Sequence, residues 1–166
     1  AGEQTVVASY TRDGRQLFAT LRRADPTSDQ GIEIAVADTG AEDWARKLDS
    51  DCRLPLYGVH FDFAKSTLRP ESEPVLQKVA ALLQSRPALA VEIQGHTDNV
   101  GGDDDNQRLS EARARSVTRW LADHGIAATR LESKGYGRKV PVASNDDDAG
   151  RARNRRVELR KRGCAK

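Results

Sequence analysis

The chain has 166 residues, 37% hydrophobic and 31% charged, with a formal net charge of +2. This is enough for one compact domain and a small extension. No run of 18 apolar residues exists, which excludes a membrane-embedded helical chain, and the start AGEQ, without Met or a leader pattern, reads as a mature or truncated chain. The charge is uneven. Residues 1–51 carry six Lys/Arg against ten Asp/Glu, a net −4, and residues 52–166 carry 21 against 15, a net +6. A basic second part suits an anionic polymer, cell wall or nucleic acid alike.

In chain order, TVVASY (5–10) and QLFATLR (16–22) are β-rich, and Asp13-Gly14 between them is a hairpin signal. A loop with Pro26, Ser28, Asp29 and Gly31 precedes a third strand, IEIAVA (32–37), whose alternation puts Ile32, Ile34 and Val36 on one face. Thr39 is placed to cap a short helix in which Trp44 and Leu48 pair at i,i+4. Three short strands and one helix bury little alone. Residues 1–51 therefore read as a β-rich extension without an assignable motif, whose hydrophobic hairpin could pair between chains in a homodimer. The main domain, residues 52–166, opens with LYGVHFDF. Alternation of Tyr57, Val59, Phe61 and Phe63 against Gly58, His60 and Asp62 predicts a strand. Pro70 and Ser72 mark the start of a helix with the stripe Val75, Leu76, Val79, Leu82 and Leu83, stopped before Pro87. A strand at Leu89–Gln94 feeds a polar loop and a second helix ended by Gly125. A strand at 130–137, a polar loop at 145–154 and a last strand with Val157 and Leu159 facing inward follow. The order is βαβαββ, an α+β fold, and a right-handed crossover puts the helices on one face of the sheet.

Residues 95–121, GHTDNVGGDDDNQRLSEARARSVTRWL, carry the chemistry. Leu109, Val117, Trp120 and Leu121 define an apolar stripe, and Arg113, four residues from both Leu109 and Val117, projects from the same face. An inward cation needs an anionic partner or a ligand. Asp98 in the loop upstream supplies one candidate. The couple reads either as a structural Asp–Arg bridge or as a receptor for a zwitterion.

Several separated blocks, FDFAKSTLRPES (61–72), GHTDNVGG (95–102), NQRLSEARARSV (106–117), GYG (135–137), Pro141 and NRRVEL (154–159), resemble the OmpA-like peptidoglycan-binding domain over about residues 54–162. The resemblance implies a periplasmic module of the Gram-negative envelope, associated with the outer membrane. Such a module grips the free end of meso-diaminopimelate in the peptidoglycan stem peptide. It needs no cofactor, and it meets the membrane only through a segment outside this chain. Asp98 and Arg113 fall at the family's ligand positions, Asp98 for the ammonium and Arg113 for the carboxylate. The resemblance also carries over Asn106, with Thr97, Asn99 and Leu109 as pocket wall. Asp62, at the end of the first strand, reads equally as a ligand contact or a solvated carboxylate. Of Arg155 and Arg156, which alternate across a strand, Arg155 is favoured as the one turned to the pocket. In the resembled fold the first and last strands lie side by side, which implies a disulfide between Cys52 and Cys164 and an oxidising compartment.

Other chemistries fare worse. His60, His96 and His124 are scattered without metal-ligand spacing. The aspartate runs 103–105 and 146–148 lack the calcium-loop pattern and read as solvated loops. A peptidoglycan-cleaving enzyme using Asp62 and Asp98 would need one carboxyl kept protonated by an apolar site, whereas Asp98 has arginines for neighbours. A nucleic-acid binder would use the basic RARNRRVELRKR segment (151–162). There Val157 and Leu159 mark a packed strand, and no aromatics interleave for base stacking.

Overall fold

A three-stranded antiparallel meander forms first, in the order β1 (Val6–Arg12), β2 (Arg15–Arg23) and β3 (Ile32–Asp38). The computed structural model describes residues 6–12, 15–23, 32–38 and 41–164. The Asp13-Gly14 turn, the loop with Pro26, Ser28, Asp29 and Gly31, and the Thr39 cap lie outside the described residues. The chain divides into two units, Ala1–Trp44 and Ala45–Lys166. The division falls within helix α1 (Ala41–Asp51), which buries Trp44 and Leu48. The sequence reading put it at 51/52.

The second unit is a mixed α+β fold. Its four-stranded sheet has the order β4 (Arg53–Pro55), β7 (Val157–Lys161), β5 (Val91–Gly95) and β6 (Leu131–Gly135). β5 and β6 are parallel and joined by the long helix α3 (Asp103–Asp123), while β7 runs antiparallel to both β4 and β5. Val91, Ile93, Val157 and Leu159 form the apolar face of the sheet, each at most 1% exposed. α3 lies on β5 and β6, and α2 (Glu73–Ser85) packs beside α3. Leu76, Val79, Leu82 and Leu83 are buried on α2, whereas Val75 is only half-buried.

Three local readings need correction. The first strand is not at 57–63 but at 53–55. Leu56 still donates its N–H to Val157 O, but Gly58, at φ +97°, then turns the chain out of the sheet. Tyr57 is 67% and Phe63 97% exposed, so the period-2 alternation there does not mark a buried face, and only an isolated Phe61–Leu68 bridge remains. Second, the polar stretch 145–154 contains a helix, α4 (Asp148–Asn154). Asp147 caps it by accepting the Gly150 N–H at 2.6 Å. Third, residues 103–105 are no loop but the first turn of α3, where carboxylates complement the helix dipole. Cys52 and Cys164 are joined in a disulfide with Cα atoms 5.8 Å apart, as the resemblance implies.

Candidate functional site

The loop after β5 is laced between two neighbouring segments. His96 donates its N–H to Arg156 O and Thr97 donates to Gly137 O, both at 3.0 Å. α3 can lie against this end of the sheet because Gly95 and Gly135, paired in register, have no side chains. A Cβ on Gly95 would sit 2.1 Å from Ser110 O, and one on Gly135 2.5 Å from Ser110 Oγ. Ser110 Oγ accepts the Gly137 N–H at 2.9 Å and donates to Gln107 O. Helix and loop are thereby fixed to each other, and Asp98 is held where both meet.

Asp98 is buried, at 8% exposure. Its Oδ1 accepts the Val100 N–H at 3.1 Å, closing an Asx-type turn, and its Oδ2 receives Arg155 Nη1 at 2.6 Å. Buried Asn106 completes the clamp by donating Nδ2 to Val100 O at 3.0 Å. Arg113 is half-buried. Its Nε donates to Lys65 O at 3.1 Å, and its guanidinium stands 5.1 Å above the Phe61 ring. Burial pulls its pKa below the ordinary arginine value. The Arg155 charge adds to that effect, and the Asp98 charge opposes it. Among the described residues no carboxylate forms an ion pair with Arg113. Asp98 instead pairs with Arg155, 57 residues away along the chain.

The buried line of α3 is Asn106, Ser110, Ala114, Val117 and Leu121. Leu109, Arg113 and Trp120 are half-buried beside it. Arg113 is thus not an inward cation on the apolar stripe but one position off it, at the rim. Arg155 is exposed and reaches Asp98, while Arg156 is buried against Glu158 and donates to the Asn154 and Val140 carbonyls. Thr97 is buried and Asn99 exposed. Asp62 lies in the 61–69 turn, where its N–H donates to Thr67 O. Among the described residues no side-chain hydrogen bond ties Asp62 or Asn99 to Asp98 or Arg113. Sequence reasoning missed Phe61 and the Lys65 carbonyl as the seat of Arg113. Phe61 stood in the FDF block, but its apparent strand hid its role.

Three aspartates around the site are paired with arginines. Asp103 pairs with Arg138, Asp105 with Arg108, and Asp148 with Arg151. No group of three or more His, Cys, Asp or Glu able to hold a metal ion occurs among the described residues. His96 is 2% exposed and stacks on Tyr136 with ring centroids 5.3 Å apart. Among the described residues neither of its ring nitrogens, nor Thr97 Oγ1, has a hydrogen-bond partner. Desolvation first, and the Arg156 charge second, lower the His96 pKa to about 4, against a smaller opposite pull from Glu158.

Known proteins carry the same arrangement of elements. The chain is similar to outer membrane porin F of Pseudomonas fluorescens, 46% identical over 100 residues, which are 60% of this chain and 31% of the porin. It is 44% identical over 101 residues to the probable lipoprotein YiaD of Escherichia coli, covering 61% of this chain and 46% of that protein. It therefore spans less than half the length of either relative. Among solved structures it is similar to the peptidoglycan-associated lipoprotein of Burkholderia pseudomallei, with a TM-score of 0.58, 35% identity, and coverage of 62% of this chain and 87% of that one. It is also similar to the cell wall anchor of the T6SS from Pseudomonas aeruginosa, with a TM-score of 0.57, 28% identity, and coverage of 72% and 93%. The OmpA family model matches residues 60–155, more than half of the sequence and including Asp98, Asn106, Arg113 and Arg155, and the chain belongs to the OmpA family.

Proposed function

We propose that this chain binds peptidoglycan non-covalently, gripping the zwitterionic end of meso-diaminopimelate in the stem peptide, and so anchors an outer-membrane-associated assembly to the wall from the Gram-negative periplasm. The observation that carries the reading is the buried carboxylate of Asp98, paired with the exposed Arg155 guanidinium and within electrostatic reach of the half-buried Arg113, which no carboxylate among the described residues neutralises. A diaminopimelate terminus presents an ammonium and a carboxylate on one carbon. Asp98 takes the ammonium. The Arg113 fork, held at the rim by Lys65 O and Phe61, takes the carboxylate through parallel hydrogen bonds. Arg155 neutralises Asp98 until the ammonium arrives and then adds to the carboxylate site. Asn106 and Thr97 shape the loop, with Asn99 and Leu109 at its edges and Asp62 on the neighbouring turn.

Charge-assisted hydrogen bonds contribute about 1.5 to 3 kcal/mol each. Two of them, less ordering, give on the order of high-micromolar to millimolar affinity per site. A polymer carrying many sites tolerates that weakness. The OmpA-family relatives named as a peptidoglycan-associated lipoprotein and a cell wall anchor support a binding rather than a catalytic role.

Co-sedimentation with purified sacculi tests the reading. Asp98→Ala or Arg113→Ala abolishes retention while circular dichroism and melting stay near wild type. Sacculi amidated on diaminopimelate, or lacking it, retain less of the wild-type protein. Retention of both variants at the wild-type level removes the site from the binding mechanism. Release of soluble muropeptides in the same incubation identifies a hydrolase instead.

A further inference from the structure

Phe63 is 97% exposed, the most exposed of the large hydrophobic side chains among the described residues. Single exposed apolar residues are ordinary on protein surfaces. This one differs in how it is held. The 60–69 turn is closed by Arg69 N–H to His60 O at 3.0 Å, Asp62 N–H to Thr67 O at 3.1 Å and Lys65 N–H to Asp62 O at 3.0 Å, with the Phe61–Leu68 bridge at its base. Ala64, the next residue, adopts φ +55°, a left-handed conformation that a non-glycine residue occupies only when its surroundings impose it. The ring is therefore presented by a hydrogen-bonded turn. That turn is also the seat of Arg113: Phe61 lies under its guanidinium and Lys65 O accepts its Nε. Phe63 sits between these two contacts, within about 7 Å of chain from either.

We infer that Phe63 is a stacking platform for a sugar ring of the same wall polymer, so that the domain grips the glycan together with the stem peptide. The inference rests on the proposed function and names a second part of that ligand. A pyranose ring offers a face of polarised C–H groups, which an aromatic face attracts without any charged partner. The neighbours of Phe63 carry mixed charge, Asp62 against Lys65 and the Arg113 guanidinium, so they single out no anionic surface, and the turn's continuity with the seat of Arg113 points to the same ligand. The Arg69 cation of the same turn is paired with Glu71 at 2.9 Å. One aromatic tip is far below the area that a stable protein–protein interface needs.

Calorimetric titration of the full chain tests this with free meso-diaminopimelate, a stem tripeptide carrying it, and the corresponding disaccharide-tripeptide. The wild type binds the disaccharide ligand about five-fold or more tightly than the tripeptide. Phe63→Ala loses that increment and keeps the wild-type affinity for the amino acid and the tripeptide, whereas Phe63→Trp retains it. Equal affinity of the wild type for tripeptide and disaccharide-tripeptide overturns the inference, as does an equal weakening of both by Phe63→Ala. If the wild type ignores the amino acid and tripeptide but binds the disaccharide ligand in a Phe63-dependent way, the clasp falls and the platform stands. If it binds none of the three, both fall. Loss of binding to anionic phospholipid vesicles in Phe63→Ala, with muropeptide affinity intact, assigns the ring to a membrane and overturns the inference.

Discussion

At position 113 a guanidinium stands one step round the helix from the buried line, and that offset sets its chemistry. Were it on the line with Ala114 and Val117, it would need a buried anion. At the rim it keeps its fork accessible while Phe61 and Lys65 O fix its direction. Helical spacing drew attention to Arg113 but could not resolve this, because the stripe was drawn through Leu109 and Trp120, which are only half-buried. The Asp98–Arg155 pair was also out of reach of local pattern. Strand alternation separated Arg155 from Arg156 without saying which carboxylate either would meet. His96 shows a related effect, with a testable consequence. Its folded pKa of about 4 lies below the ordinary 6.5, so the folded state resists taking up a proton that the unfolded chain accepts. The stabilisation from the neutral ring is complete above about pH 6.5 and is lost as pH falls toward 4, at most about 3 kcal/mol. Urea midpoints measured between pH 7.5 and 4.5 should therefore fall more steeply for the wild type than for His96→Phe. Parallel curves would clear the imidazole as the source.

Among elements, α3 meets the β5–β6 pair across two glycines that leave no room for a side chain. Gly135→Ala places a methyl 2.5 Å from Glu111 Cγ, Glu111 N and Ser110 Oγ, and of these three atoms of the helix the Glu111 backbone N cannot swing away as the long Glu111 side chain could. Overpacking of this kind costs about 1–3 kcal/mol. Because Ser110 also accepts the Gly137 N–H, the shift propagates to the Asp98 loop. The variant is expected to lose that stability in a denaturant titration and to lose sacculus retention at temperatures where it remains folded. Unchanged retention would show that the loop keeps its geometry without the close helix contact. The glycines were visible in the sequence as turn residues, whereas their role under a helix is a matter of tertiary approach. The α2 stripe and the β5, β6 and β7 strands were legible because their apolar residues are buried at the positions the helical and strand periods mark. The failures have local causes. Gly58 turns an alternating segment out of the sheet, and α4 is a short helix with a polar surface and no apolar stripe to announce it. Ser72 does stand at the entry of α2, as its N-cap residue, but its hydroxyl bonds the backbone of His60, at 2.8 and 2.9 Å, rather than capping the helix.

At the scale of the whole molecule, the disulfide spans 112 residues and closes nearly the entire second unit into a ring. The chain-entropy model gives about 4–5 kcal/mol for a loop of that length, with measured losses of about 2–5 kcal/mol in small domains. The double variant Cys52→Ser/Cys164→Ser should melt at lower temperature by a corresponding amount, yet bind sacculi normally well below its own midpoint. A loss under about 1 kcal/mol would mean that the β4–β7 pairing already fixes the ends. The family resemblance implied this bridge, since it set the first and last strands side by side; cysteine count alone would have left two thiols. The same bridge settles how tension travels. β4 is only three residues long and lies at the sheet edge, so a tug arriving from upstream would peel it away. The covalent link hands that load from Cys52 to Cys164, just past the end of β7, a strand paired on both sides. At its other end, two residues before β7 begins, stands Arg155 on Asp98. A pull on the chain upstream of Cys52 therefore reaches the Asp98–Arg155 end of the sheet through an inner strand, and the weak edge is spared.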